Sequence, residues 1–180
     1  MRVLETACGT GIVTERLAAR LAGGGALVAT DLNEAMFAHG RARLPHASNI
    51  EWRQADATSL PFVDRSFDAV VCQFGLMFYP DKAPFSLHDP EPTLHRLRDA
   101  GFADNQWLHV EKVGTSPAAD EAAIGLIEGN PIYSTIMERR PEALAQIKAV
   151  VAAAIAKELG DNPVRCPERA LVFTARRAGS

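Results

Sequence analysis

The sequence predicts a doubly wound α/β fold, on three observations. Apolar strand-length runs alternate with helical stretches over the first 75 residues. A turn carrying two glycines, Thr6-Ala7-Cys8-Gly9-Thr10-Gly11, joins the first run to the first helix. An acid, Asp31, ends the second run, 20 residues after Gly11.

Each element has its own signal. Val3 to Glu5 end a short strand. Val13, Leu17 and Leu21 recur at helical spacing, and Gly23-Gly24-Gly25 stops that helix. Ala26 to Thr30 is a second strand. Asn33 suits the cap of a helix carrying Met36, Phe37 and Leu44, which ends before Pro45. Ile50 to Arg53 predicts a third strand, and Asp56 to Pro61 a loop. Phe67 to Gln73 predicts a fourth strand, whose Ala69-Val70-Val71-Cys72 run suits a parallel strand covered on both faces. Further on, Asp89-Pro90 opens a helix ending at Gly101, and Trp107 to Val113 alternates as a strand. Three helical stretches follow, near 118–128, 131–139 and 141–159, and Ala170 to Ala175 is the last strand.

A chain of 180 residues suits a single domain, with a core large enough to need no staples. The net charge of -3 and pI near 5.9 speak against a nucleic-acid partner. Cys8, Cys72 and Cys166 are odd in number and widely spaced, which suits reduced thiols and a cytoplasmic protein. No apolar run approaches the ~18 residues of a membrane span, and the start shows no signal-peptide pattern. His39 and His46, like His88 and His95, are seven apart, and no metal site is expected.

Glycines in a strand-to-helix turn let a ligand approach the main chain, where the first helical amides point outward. Asp31 at a strand end can accept both hydroxyls of an adenosine ribose. Alone, such a turn is as often structural as not, and such an acid is more often structural; together they suggest an adenosine site. Two residues bear on which cofactor fits. Thr14 stands where a dinucleotide fingerprint has its third glycine. Glu5, four residues before Gly9, would repel a pyrophosphate but suits the sulfonium and ammonium of S-adenosyl-L-methionine.

Val3-Leu4-Glu5-Thr6-Ala7-Cys8-Gly9-Thr10-Gly11 resembles the first motif of class I S-adenosylmethionine-dependent methyltransferases. The likeness is to the small-molecule type-11 group, which includes quinone-biosynthesis C-methyltransferases. Asp31-Leu32-Asn33-Glu34-Ala35-Met36 resembles the segment that holds the ribose and packs on the adenine. Gln54-Ala55-Asp56-Ala57 and the residues to Phe62 resemble the third binding segment, in which Asp56 accepts from the adenine amino group and Ala57 donates from its backbone. Phe67 to Leu76 resembles the fourth strand and the loop beside the methionine moiety. The resemblance thus implies a cofactor set of Glu5, Ala7, Gly9, Thr10, Gly11, Asp31, Leu32, Met36, Asp56, Ala57, Gln73 and Phe74. It also implies a Rossmann-like sheet of order 3-2-1-4-5-7-6 and S-adenosyl-L-homocysteine as product.

Methyl transfer from a sulfonium is in-line displacement, in which the protein mainly aligns donor and acceptor. No general base is specified; His88, His95 and Tyr79 could come near the site, but each such residue is more often a surface or packing residue, so the catalytic residues stay unassigned. Cys8 suits a small residue in a tight turn rather than a nucleophile. Gln73-Phe74-Gly75-Leu76 replaces the Asn/Asp-Pro-Pro-aromatic motif of enzymes that methylate amino groups. Asn130-Pro131-Ile132-Tyr133 imitates that motif but suits a helix start. Phe74, Leu76, Met77, Phe78 and Tyr79 offer an apolar wall for a small organic substrate, or plain packing.

Two departures from the family pattern stand out. Family members carry a helical segment before the first strand, whereas this sequence starts at the strand. Several tens of residues, including the fifth strand, are missing between Lys82 and Phe85 relative to the pattern, and the expectation is that the protein carries residues there which the sequence skips. The predicted organisation is a single methyltransferase domain, 1–180. It has a cofactor-binding half, 1–82, and a C-terminal half, 85–180, whose helical insertion 118–159 suits a lid or a homodimer surface. The leading function is methyl transfer to a small organic acceptor. The alternatives are a cofactor-binding pseudoenzyme or truncated methyltransferase and, less favoured, an NAD(P)-dependent oxidoreductase.

Overall fold

The computed structural model describes residues 1–78, 89–130 and 132–177. It divides into two compact units, Met1–Pro92 and Thr93–Ser180. The expected junction between Lys82 and Phe85 lies outside the described residues.

The first unit is built on a parallel sheet of order β3-β2-β1-β4. Its strands are β1 (Arg2–Thr6), β2 (Ala26–Asp31), β3 (Ile50–Gln54) and β4 (Ala69–Cys72). Helices α1 (Ile12–Arg20) and α2 (Met36–Arg43) make the crossovers. Strand pairing aligns Val3 with Leu27 and Ala69, and Leu27 with Ile50. These residues share one face, where Ala18 of α1 and Leu21, which ends that helix, pack against Val3 and Leu27. Farther along, α2 sets Phe37 against Ala29, Cys8, Ile50 and Trp52. Fully burying a side chain the size of Phe37 or Leu27 stabilises by about 1.5–3 kcal/mol.

Local signals mark where the helices begin, although the cap of α2 is Ala35 and not Asn33 as expected. Asn33 Oδ1 accepts from the Ala35 N–H at 3.1 Å and opens the turn into α2. Asp89 Oδ1 accepts from the Glu91 N–H at 3.0 Å and does the same for α3 (Glu91–Asp99).

One expectation is corrected. The Ala69–Cys72 run is not covered on both faces; its residues alternate between half-buried and exposed, and Val70 is 63% exposed. Among the described residues β4 pairs with β1 alone and is an edge strand. An apolar run specifies a hydrophobic strand but does not supply the neighbour that covers it.

The loop from β3 to β4 is pinned by a ring stack. Arg2 lies 4.5 Å over the Phe67 ring, Phe67 meets Phe62 edge-on at 5.0 Å, and Arg53 lies 4.9 Å over Phe62.

The second unit holds the remaining strands, β5 (Phe102–Ser116) and β6 (Val164–Arg177), paired antiparallel in a sheet of their own. Both run well beyond the expected 107–113 and 170–175. Three helices lie between them in sequence: α4 (Ala119–Glu128), α5 (Ile132–Arg139) and α6 (Leu144–Leu159). Ala119, Ala123, Ala152, Ile155 and Val164 form their core. Asp161 Oδ1 accepts from the Ala119 N–H at 2.8 Å and so holds the start of α4. Among the described residues no helix is long and apolar enough to cross a membrane.

Candidate functional site

The carboxyl ends of the four parallel strands bring most of the predicted residues to one rim, where open α/β sheets place their ligands. The turn after β1 is held by its backbone. Ala7, Gly9 and Gly11 all have positive φ, at 53°, 54° and 83°. Gly11 needs its glycine twice over, because an added Cβ would also come within 3.0 Å of Gly40 Cα. At Gly9 an added Cβ would meet nothing within 4 Å, so that side of the turn is open to a ligand. The Cys8 N–H donates to the Thr30 carbonyl at 2.9 Å, fastening the turn to β2.

Asp31 joins two parts of the rim. Its Oδ2 accepts from the Gly9 N–H and its Oδ1 from the Asn33 N–H, each at 2.9 Å. A carboxylate has about four acceptor positions. Each oxygen therefore keeps one lone pair for a further donor.

Glu5 is 2% exposed, and its Oε2 has no hydrogen-bond partner among the described residues. Burial pushes its pKa up from 4.5 to about 7, partly offset by the Thr14 hydroxyl. That offset is weak, since Thr14 Oγ1, itself buried, also completes no hydrogen bond of good geometry. The residue in place of the third glycine thus faces the acid. Burial, with the charges of Glu5 and Asp31 beside it, pushes the Cys8 thiol up to about 12. Cys8 is a packing residue, as its place in the turn suggests.

At the next strand end, Asp56 is exposed. Its Oδ1 accepts from the Thr58 N–H at 2.8 Å and from the Thr58 hydroxyl at 2.7 Å. These bonds, the backbone one first, hold its pKa below the ordinary carboxylate value. The Ala55 N–H donates to the Asp31 carbonyl at 3.1 Å, so the Asp56-Ala57 turn starts beside Asp31. Leu32 is 67% exposed on the rim, and Met36 is half-buried at the start of α2.

Beyond β4, Gln73 and Phe74 are exposed, with Phe74 at φ 53°. Gly75 is buried behind them, and an added Cβ there would overlap the Ala7 Cβ. The loop after β4 and the turn after β1 therefore touch through a glycine. Gly75→Ala is expected to displace Ala7 and weaken ligand binding at the turn by roughly tenfold, with thermal stability lowered by about 1–3 kcal/mol. Calorimetric titration of the variant checks this.

Other sequence candidates fall elsewhere. His95 pairs with Asp99 at 3.2 Å on the exposed side of α3. Tyr79 and His88 lie outside the described residues. Asn130 accepts from the Tyr133 N–H through its carbonyl at 3.0 Å, the turn that opens α5. A groove of about 370 Å³ lined by Ile136, Arg139 and Ile147 belongs to the second unit, not to the strand-end rim. Sequence reasoning missed Gly40, Trp52 and Gly75. The signal for the first was a glycine inside a helical pattern, which usually has a packing reason.

Residues 3–88 match the family described as a methyltransferase domain. The chain is 48% identical over 75 residues to a demethylmenaquinone methyltransferase of Clavibacter sepedonicus, which is 42% of this chain and 29% of that protein. It is 40% identical over 85 residues to the ubiquinone/menaquinone biosynthesis C-methyltransferase UbiE of Idiomarina loihiensis, 46% of this chain and 34% of the relative. The chain thus spans about a third of the length of these curated relatives. The fold likeness is wider. The YcgJ protein of Bacillus subtilis superposes with a TM-score of 0.60 at 16% identity, covering 99% of this chain and 92% of that one. A putative methyltransferase of Bacillus halodurans gives 0.58 at 17% identity, covering 98% and 92%. Both share the fold, including the second unit's part of the chain.

Proposed function

We propose that the methyltransferase segment binds S-adenosyl-L-methionine and that the protein transfers its methyl group to a small organic acceptor, releasing S-adenosyl-L-homocysteine. The observation that carries this is Glu5: a carboxylate 2% exposed, with an unpartnered oxygen, beneath an open glycine turn. A buried acid in that state is costly unless a cation or donor reaches it. The cofactor's positive ammonium and sulfonium suit it, and a pyrophosphate does not.

The remaining residues fit the same ligand. Ala7, Gly9, Thr10 and Gly11 line its approach to the main chain. Asp31 keeps one lone pair per oxygen for a ribose diol. Leu32 and Met36 offer apolar surface for the adenine, and Asp56 with the Ala57 amide offers an acceptor and a donor for its edge. Gln73 and Phe74 border the methionine end. When bound, the sulfonium supplies an already activated methyl group, so alignment and exclusion of water are what the chain contributes. No residue is assigned as general base.

Quinone-type rings head the acceptor panel, because both curated relatives are named for that chemistry. We place the protein in the cytoplasm, working without nucleic acid, on its three unbridged cysteines and net charge of -3. The 118–159 helices are proposed as a lid or homodimer surface within one domain.

Calorimetry and thermal shift with S-adenosylmethionine, S-adenosylhomocysteine and NAD test the proposal. Ligand at 100 times its Kd is expected to stabilise by about 2.7 kcal/mol, roughly 5–10 °C for a chain of this size. Binding of NAD without S-adenosylhomocysteine would overturn it. Binding without turnover over the panel would favour a pseudoenzyme.

A further inference from the structure

We propose that Trp52 is a positioning residue for the cofactor turn, an inference that rests on the cofactor reading above. Glu5, Ala29 and Trp52 stand in one row across β1, β2 and β3, on the face that carries α1 and α2. From there the Trp52 indole reaches two glycines at once. A Cβ added to Gly40 would overlap its Cη2 and Cζ3 atoms, and one added to Gly11 would come within 3.3 Å of Cη2. Gly11 and Gly40 themselves lie close, since the same Cβ would come within 3.0 Å of Gly40 Cα. The six-membered ring of Trp52 is therefore set where the last residue of the turn meets α2.

Two features mark this contact as more than core filling. Gly40 lies inside α2, where glycine is less favourable than alanine. In a helix of eight residues that is a real cost, and close approach of the indole is what it permits. Gly11 holds φ 83°, and no bond from its own side chain can hold it there. The indole and Gly40 together limit how far Gly11 can move toward α2. A ring 5.8 Å from Phe37 and tilted by 51° is itself anchored in the core. Trp52 thus transmits the packing of α2 to the backbone on which the ligand would rest.

Trp52→Phe is the diagnostic substitution. It keeps an aromatic ring beside Phe37 but removes the atoms that touch Gly11 and Gly40. S-adenosylhomocysteine affinity is expected to fall by roughly tenfold or more. Adding Gly40→Ala, whose methyl fills the vacated space, is expected to recover most of that loss, although Gly40→Ala alone weakens binding. A merely structural role would lower the melting temperature and leave the Kd of the folded protein unchanged. The chain has two tryptophans, so Trp107→Phe leaves Trp52 as the sole emitter, and its emission is expected to change on titration with S-adenosylhomocysteine. This readout serves even if Trp52→Phe does not fold. Affinity of folded Trp52→Phe within about threefold of the unsubstituted protein overturns the proposal. So does a loss that Gly40→Ala fails to recover, or an emission that stays constant while calorimetry records binding. If the unsubstituted protein binds no S-adenosylhomocysteine, the cofactor reading itself falls, and the two failures are distinguished by that first titration.

Discussion

Glu5→Gln is expected to flatten the pH dependence of stability and to remove most of the affinity for S-adenosylmethionine. The pKa of Glu5 rises from 4.5 to about 7 on folding because burial strips its carboxylate of water. Between those values the native state holds a proton that the unfolded state has released. Stability therefore falls as pH rises through this window. The advantage of the protonated acid is fully present below pH 4.5 and lost above about 7. The shift is worth about 3 kcal/mol at its limit. The amide of the Glu5→Gln variant cannot ionise, so its urea midpoints measured from pH 4.5 to 8.5 are expected to lose this decline. A variant whose midpoints fall as steeply as those of the unsubstituted protein would show that the decline has another source.

Ligand affinity runs the other way. Charge on Glu5 is costly in the free protein and useful against a cation. Binding is expected to release a proton below pH 7 and to strengthen as pH rises to about 7. Calorimetry in buffers of different ionisation enthalpy measures that proton directly. Glu5→Gln is expected to weaken binding by about 2 kcal/mol or more, roughly thirtyfold, and to release no proton. Unchanged affinity in a folded variant would remove Glu5 from the site.

The parts legible in the sequence are those fixed by short spacing. The Gly9–Gly11 turn, Asp31 at the next strand end and the Asn33 turn before α2 each depend on a few neighbouring residues. The parts that were not legible depend on contacts between distant ones. Gly75 matters because Ala7 lies against it, and Gly40 because of Trp52. That Thr14 faces Glu5 was equally hidden, since its absence of glycine said only what the turn was not. The last strand was read short for a related reason. Glu168 and Arg169, just before the expected start at Ala170, interrupt the apolar pattern that marks a strand. Across the antiparallel pair, however, Arg169 pairs with Glu111, with a 2.8 Å ion pair, and Glu168 stands opposite Lys112. Opposed charges continue a ladder that hydropathy alone ends early.

Asp31→Asn is expected to be at least as damaging as the change at Glu5, for a different reason. In the folded chain both oxygens of Asp31 face backbone donors, the N–H of Gly9 and that of Asn33. An asparagine has one carbonyl oxygen and one NH2 group. Whichever way the amide turns, a donor faces a donor and one N–H loses its acceptor. An unmet buried or half-buried N–H costs about 1–3 kcal/mol. If the oxygen stays with Asn33, the loss falls on Gly9, and the left-handed turn is no longer held to β2 by this bond. The ribose acceptors are halved at the same time. Affinity for S-adenosylhomocysteine is expected to fall by roughly a hundredfold, and urea stability by about 1–3 kcal/mol. Asp31→Ala is the harsher change, because it leaves the N–H groups of both Gly9 and Asn33 without an acceptor and removes every ribose acceptor. It is expected to lose more stability and at least as much affinity as Asp31→Asn. Stability no lower than that of Asp31→Asn would mean that the clash of donors outweighs the lost acceptor, and retained affinity in both would mean that Asp31 serves only to join Gly9 to Asn33.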